Sequence, residues 1–441
     1  MIKELEQKLD SFDRAERKQA LSALCERAKA GDIAFSEPGQ AVNLHCHTFF
    51  SYNCYGYSPS KIAYLARKAG LAVAGIVDFD VLDGLDEFLE AGRMLGLKSC
   101  GGLETRVFVP EFADKVINSP GEPGIAYHIG IGFPKAHLDG KQAKFLAGLR
   151  RTAQQRNTEL MERVNDYLSP VRIDYEKDVL SLTPAGNATE RHLCIAYARK
   201  AREFFGRSSK PAGFWSEKLG VDASGFEGPE DVGLLNTIRA KTMKLSGVGY
   251  VQPDEGAFVK MEEMNEFILA AGGIPAVAWL DGTSEGEKEI ERLLEVGMAT
   301  GAAAINVVPD RNYTAYVHDK KLENLYQVVE VAKKLHLPVV AGTEMNSPGQ
   351  KFVDDFDSRE LSPFLPAFLE GAYIVYAHSV LQRQACLGYT SSWSGENFKS
   401  AADKNGFFRE VGRLLEVQNE DVLGDLDKNV RPRQIIKRLS N

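Results

Sequence analysis

The stretch Asn43-Leu-His-Cys-His-Thr48 decides the interpretation of this chain, because it places two histidines at the end of a predicted strand. An apolar run begins at Ala41 and a Ser/Asn/Gly/Pro cluster ends at Pro59, which is the pattern of a buried strand leading into a loop. Strand side chains alternate between two faces, so His45 and His47 are predicted to point to the same side. Two neutral imidazoles so placed can share one metal ion, with carboxylates completing the site. The alternative is a pair of hydrogen-bonded core histidines.

The composition is that of a soluble globular protein. The chain has 441 residues, of which 44% are hydrophobic and 26% are charged, so it can form one large barrel with insertions or two to three ordinary domains. The net charge of −8 argues against a nucleic-acid partner, because neutralising phosphates requires clustered Lys and Arg. A small anionic substrate bound by a few local cations remains compatible with this charge.

The cysteines and the termini predict a cytoplasmic protein. Six cysteines in so long a chain show no CxxC spacing, which is typical of reduced thiols and not of a disulfide framework. The first residues are charged and helical in pattern, without an apolar signal core, and no run of about 18 apolar residues occurs. We therefore expect no membrane partner. The oligomeric state is left open.

Apolar and polar periodicity predicts four segments. Residues 1–40 have the pattern of a helical N-terminal extension. Strands and helices alternate through 41–140, the segment 141–249 breaks this alternation and is predicted to be a mostly helical insertion, and the alternation resumes in 250–441. Seven or eight strands, each beside a helix, favour a parallel barrel over an open sheet. Besides the histidine strand, the predicted strands are 72–77, 98–103, 125–133, 274–279, 302–308, a strand from 338, and 372–378.

Polar residues lie at or just after the carboxyl ends of most predicted strands. These ends converge on one face of a βα barrel, where active sites are built. Scattered core polar residues would show no such bias. The residues are His45, His47, Asp78, Asp80, Glu104, Asp281, Asp310, Arg311, Glu344, Asn346 and His378.

The order of these motifs resembles the polymerase and histidinol phosphatase (PHP) domain. The shared features are the HxH strand, a strand ending in D-x-D, a G-x-E motif and a later strand with histidine, over residues 41–133 and about 250–380. The stretch GNATERHLCIAYARK is similar to the helical insertion of the small phosphoesterase branch of that family. The resemblance implies a distorted (β/α)7 TIM-like barrel that hydrolyses phosphate esters with up to three divalent metals.

Carried over residue by residue, the resemblance implies one or two divalent ions, without distinguishing Zn, Mn, Fe or Mg. A second ion would share Glu104 and use His128, but Trp279 stands where its further ligand is expected. The positions for a third ion hold Asn53, Phe79 and Asn346, so this ion is expected to be lost. The first ion would be held by His45, His47, Glu104 and Glu344.

Further residues are candidates for catalysis and substrate binding. His378 is a candidate acid or base, with the alternative of a histidine bonded to a loop carbonyl, and Asp78 could supply a replacement oxygen. Trp279 is a candidate platform for a sugar or ring, or a core residue. Arginine and lysine side chains near the strand ends could bind a phosphate, or they could be solvated surface groups. The catalytic candidates also include Arg106, and the substrate-binding candidates are Arg311, Lys351, Asn346, Trp279, Arg191 and His192.

The sequence thus favours a metal-dependent hydrolase, a phosphoesterase acting on a small phosphorylated metabolite. A metal-dependent carbohydrate isomerase or lyase on the same barrel is a second hypothesis, motivated by the lost third ion. A third hypothesis is a non-catalytic binding protein, which Phe79 and Trp279 favour.

Overall fold

The computed structural model describes residues 1–206, 210–253, 256–317 and 319–440. Its centre is a seven-stranded sheet in which the strands follow one another in chain order. Strands β1 to β7 are Val42–Asn43, Val73–Phe79, Ser99–Phe108, Ile125–Ile131, Ile274–Trp279, Ala304–Val307 and Val339–Ala341.

The sheet forms a nearly closed barrel, which confirms the predicted fold class. The Leu44 amide donates to the Ala341 carbonyl at 2.8 Å, so the chain after β1 meets the end of β7. The expectation of a wholly parallel sheet is wrong at β4, which pairs antiparallel with both β3 and β5. The other neighbouring strands are parallel.

Helices account for most of the remaining described chain. Short 3-10 and π turns cover Pro110–Phe112, Tyr175–Val179, Leu180–Leu182, Pro309–Asn312, Ser362–Phe364 and Val417–Leu423. Helices α1 to α16 are Ile2–Lys8, Arg14–Lys29, Pro59–Ala69, Leu85–Leu95, Gly140–Tyr167, Glu190–Phe205, Lys210–Leu219, Val232–Thr242, Met261–Ala270, Glu285–Lys288, Ile290–Ala299, Lys320–Lys334, Leu365–Ala385, Ser392–Asn397, Ala401–Leu414 and Pro432–Leu439.

The start of α3 illustrates how local sequence sets these boundaries. The Ser58 hydroxyl accepts a hydrogen bond from the Lys61 amide, and Pro59 occupies the first helical turn, where no amide donor is needed. The helix ends at Gly70, whose φ of 70° is left-handed and suits glycine. The helix carries the chain from the histidine segment back to β2.

Contacts divide the chain into two compact units. The barrel unit comprises Met1–Thr48, Asn53–Ala143 and Glu255–Asn441. The insertion unit comprises Phe49–Tyr52 and Lys144–Asp254, and has its own core, which includes Tyr197. In the barrel unit, α2 packs against α3 and α4, and Arg17 of α2 forms a buried ion pair with Glu87 of α4.

The predicted strand at 372–378 is wrong, because these residues belong to α13. This segment is apolar on all sides, and an apolar run of that length does not distinguish a buried helix from a buried strand. A Cβ on Gly371 would lie 2.1 Å from the Val339 carbonyl oxygen, so glycine lets α13 approach β7 closely. The segment Ser362–Ala385 is apolar enough to span a membrane, but 67% of its most apolar window is buried, as in the core helix of a soluble protein.

Candidate metal centre

Three of the predicted ligands meet inside the barrel unit. The Nε2 atoms of His45 and His47 lie 3.4 and 3.1 Å from the same oxygen of Glu104, Oε2. The ligand atoms all lie within 4.8 Å of one another, and the three side chains are buried. We call His45, His47 and Glu104 the HHE cluster. Its carboxylate lies within β3, beyond the predicted end of that strand at 103.

Asn306 orients the first histidine. Its Oδ1 lies 3.0 Å from the Nδ1 of His45, and both side chains are 1% exposed. Because an amide oxygen can only accept, the ring proton belongs on Nδ1 and the lone pair on Nε2, which faces Glu104. A hydrogen-bonded partner behind a ligating imidazole is a common feature of metal sites. Asn306 was not among the predicted site residues, although a lone amide within the apolar run AAAINVV was a possible signal.

The second histidine is held by two residues that stand at positions implied for the lost third ion. The Phe79 ring stacks on the His47 ring, with centroids 4.4 Å apart and an interplanar angle of 23°. The Nδ2 of Asn53 donates to the His47 carbonyl at 2.8 Å. These side chains therefore fix the geometry of His47, and neither belongs to the HHE cluster.

The electrostatics of the cluster favour a cation. Burial alone would raise the pKa of Glu104, but the neighbouring His45 and His47 lower it to about 2. Burial opposes protonation of His45, yet the charges of Glu104 and Glu344, the close approach of the Glu104 oxygen and the bond to Asn306 raise the pKa of His45. The carboxylate thus keeps its charge and attracts protons to the rings, so a metal ion would compete with protons there.

The donor set fits a divalent metal. The Nε2 of His45 makes no hydrogen bond of ordinary geometry within the described residues, although it is buried. Two imidazole nitrogens and one carboxylate are a ligand set that zinc and similar ions accept, with an open position for water or substrate. We therefore assign a candidate divalent-metal site to the HHE cluster.

Glu344 lies beside the cluster but is not part of it. Its amide donates to the His45 carbonyl and its carbonyl accepts from the His47 amide, both at 2.8 Å. Its carboxylate instead accepts hydrogen bonds from Arg311, at 3.1 and 3.3 Å, and from Gln350, at 2.9 Å. The implied first-ion ligation by Glu344 is therefore not reproduced, because two protein donors occupy this carboxylate.

His128, which was implied as a ligand of a second ion, and Trp279, which stands where a further ligand was expected, face away from the cluster. His128 pairs with Thr105, the neighbour of Glu104, and alternation turns its ring to the opposite face of the sheet. There its Nε2 lies 2.6 Å from the Oδ1 of Asn265 on α9, and burial lowers the pKa of His128 to about 4. Trp279 is 1% exposed and lies across from Val307, not Asn306, so it packs away from the cluster. The implied ligation by His128 is therefore not reproduced, and Trp279 takes the core position that was the alternative to a substrate platform.

Two predicted catalytic residues have structural roles instead. The Asp78 oxygens accept from the Thr48 amide at 2.8 Å and from its hydroxyl at 2.7 Å, so Asp78 fixes the chain just after the histidines. His378 lies on α13 and not at a strand end, and its Nδ1 accepts from the Tyr389 amide at 2.8 Å. Its Nε2 lies 3.0 Å from the Gly272 carbonyl oxygen. With both ring nitrogens bonded to backbone, His378 is not positioned as an acid or base.

Of the predicted cations of the barrel unit, Arg311 is placed at the cluster. Arg106 instead pairs with Glu122 at 2.8 Å and lies over the Phe258 ring at 4.4 Å. Lys351 lies 5.5 Å from the centroid of the Tyr313 ring.

The other predicted substrate contacts stay predictions. Asn346 accepts from the Ser347 hydroxyl at 3.2 Å. In the insertion unit, Arg191 of α6 donates to Asn236, and His192 lies beside the Tyr52 ring, with centroids 5.3 Å apart. Burial lowers the pKa of His192 to about 4.

Comparison with known proteins yields structural neighbours. No model of a protein family and no curated protein matches the chain. An amidohydrolase from Chromobacterium violaceum, with bound sulfate and no metal, is 17% identical, with a TM-score of 0.47 over 74% of this chain and 96% of its own. A Bifidobacterium adolescentis protein, provisionally described as a metal-dependent phosphoesterase, is 18% identical, with a TM-score of 0.45 over 75% of this chain and 98% of its own.

Proposed function

We propose that this protein is a metal-dependent hydrolase of the PHP type that acts on a small phosphorylated metabolite. The observation that carries the proposal is the convergence of His45 and His47 on one carboxylate oxygen of Glu104 in a buried cluster. A divalent ion held by these three residues would supply a water nucleophile at neutral pH and would neutralise charge on a phosphoryl oxygen. The order of the sequence motifs supports the phosphoesterase assignment.

The protein's own residues support the binding of an anion. The Arg311 side chain is 42% exposed while that of its partner Glu344 is 6% exposed, so the guanidinium lies on the solvent side of the pair. Guanidinium groups bind phosphate through two parallel hydrogen bonds. Phe79, stacked on His47, forms an apolar wall that limits water beside that ring.

The proposal extends to partners and location. We propose a small-molecule substrate and no nucleic-acid partner, because the net charge is −8. We propose no membrane partner, because the apolar segment Ser362–Ala385 is mostly buried. All six cysteines are free thiols, which supports a reducing compartment such as the cytoplasm.

Hydrolysis of a phosphate-ester panel by metal-supplemented protein tests this proposal. We expect release of inorganic phosphate that is abolished by a chelator and by His47→Ala. The matched control is His137→Ala, because His137 is exposed in the loop between β4 and α5. Metal-loaded protein that hydrolyses none of the esters contradicts the proposal.

A non-catalytic binding protein is a second candidate. It is favoured by Phe79, which stands in place of a metal ligand, and by His128 and Trp279, whose side chains point away from the HHE cluster. Elemental analysis separates the two, because a chain that takes up no metal in supplemented medium supports the binding protein. Product analysis with non-phosphorylated sugars would reveal isomerase or lyase activity.

A further inference from the structure

We propose that the Arg311 guanidinium is the second cation of this site. It neutralises Glu344, restricts the centre to one metal ion, and binds the anionic group of the substrate. This inference rests on the proposed metal-dependent function and names the group that takes the place of a second ion.

The backbone fixes the position of Glu344. Its amide and carbonyl are bonded to His45 and His47, each at 2.8 Å, and Cys46 pairs with it as an isolated parallel bridge. Its φ is 61°, a conformation that residues other than glycine rarely adopt and that the surrounding bonds must maintain. The carboxylate therefore cannot approach the HHE cluster by a simple backbone shift.

The carboxylate of Glu344 already has cationic and amide partners. The Nη2 of Arg311 lies 3.1 and 3.3 Å from its two oxygens, and the Nε2 of Gln350 lies 2.9 Å from one of them. A metal ion could bind this carboxylate only by displacing the guanidinium. Because the Glu344 side chain is 6% exposed, removing Arg311 would leave a buried charge that attracts another cation.

Among the described residues, the other side chains implied for a second ion do not face this region. His128 is bonded to Asn265 and Trp279 is in the core. Within the part of the chain that the structure describes, the HHE cluster is the one group of three ligand side chains close enough to hold an ion.

The charge balance agrees with a single ion. With neutral histidines, Glu104, Glu344 and Arg311 together carry one negative charge, which one divalent ion converts to one positive charge. That balance suits an anionic substrate. Arg311 also interacts electrostatically with Glu104 and with Tyr127, a β4 residue that faces the same side of the sheet as Arg106.

Metal counting and phosphate binding test the role of Arg311. Purified protein is saturated with Mn²⁺ and dialysed, bound Mn is measured by elemental analysis, and inorganic phosphate binding is measured by calorimetry. We expect one ion per wild-type chain, more than one per Arg311→Met chain, and at least tenfold weaker phosphate binding by that variant. Arg413→Met is the charge-matched control, because Arg413 is a surface residue paired with Glu410, and it should match the wild type.

Two results overturn this inference. One is a wild-type chain that binds two ions, which leaves the proposed hydrolase standing. The other is an Arg311→Met protein that keeps one ion or the wild-type phosphate affinity. If Arg311→Met does not fold, Arg311→Gln keeps a donor to Glu344 without the charge, and the same gain of an ion is expected. One ion per wild-type chain without hydrolysis of any ester would contradict the proposed function alone.

Discussion

Replacing Asn306 by alanine is expected to weaken metal binding by about 10–100-fold. The Nδ1 of His45 lies 3.0 Å from the Asn306 oxygen, and both side chains are 1% exposed. In the metal-free alanine variant the ring proton can move to Nε2, which faces Glu104, but a metal on Nε2 forces it back to Nδ1, where it is buried without an acceptor at a cost of about 1–3 kcal/mol. Since a tenfold change in affinity is about 1.4 kcal/mol, this cost covers much of the expected loss in affinity.

Calorimetric titration of the metal-free protein with Mn²⁺ or Zn²⁺ measures this effect. Asn306→Asp should bind at least as tightly as the wild type, because a carboxylate accepts the same hydrogen bond. The control is Asn324→Ala, since Asn324 is also buried but donates to the carbonyl oxygens of Asp281 and Gly282. An Asn306→Ala protein whose affinity stays within about twofold of the wild type, or a control that loses as much, refutes the orienting role of Asn306.

Three further predictions concern stability, each measured as a shift in urea unfolding. Arg17→Met should lower the free energy of unfolding by about 3–5 kcal/mol, because it leaves Glu87 charged and buried. The double variant Arg17→Met, Glu87→Met should recover part of this loss. A double variant that loses as much stability as the single variant would contradict the ion-pair argument. Burial first, and then the charge of Asp310, raise the pKa of Asp354 to about 8, so the folded chain keeps a proton that the unfolded chain loses near pH 4. Stability should therefore fall by up to about 1.4 kcal/mol per pH unit between about pH 4 and 8, and Asp354→Asn should remove this fall. The exposed neighbour Asp355 is the control, and a pH profile unchanged by Asp354→Asn would contradict the assignment. On α15, Gly412→Ala should destabilise the protein by about 1–3 kcal/mol, because the new Cβ would lie 2.1 Å from the Tyr373 carbonyl oxygen. Gly406→Ala on the same helix should stabilise it by about 0.5–1 kcal/mol, because no atom lies within contact distance of the new Cβ. A Gly412→Ala protein that is more stable than Gly406→Ala would contradict the close packing of α13 against α15.

The fold was largely predictable because the strands are short, apolar and separated by amphipathic helices. The predicted strand 274–279 coincides with β5. The direction of β4 was not predictable, since a buried strand has the same apolar pattern in either direction. The error at 372–378 has a related cause, because the central part of α13 is almost wholly buried and shows no helical stripe.

The site was predicted where the motif itself fixes the geometry. In HxH the two-residue spacing brings both imidazoles to the carboxylate of Glu104 on β3. The prediction failed where one strand position decides the face, as for His128, because a shift of one residue reverses the direction of a side chain. Asn306 and the Arg311–Glu344 pair depend on contacts between distant strands and loops, which no local pattern specifies.

Anomalous diffraction from crystals grown with Mn²⁺ or Zn²⁺ tests the central claim most directly. The claim predicts one anomalous peak per chain, bounded by the Nε2 atoms of His45 and His47 and the carboxylate of Glu104, and its loss in His47→Ala. A wild-type crystal with no peak among these three side chains, or a peak that persists in His47→Ala, would contradict it.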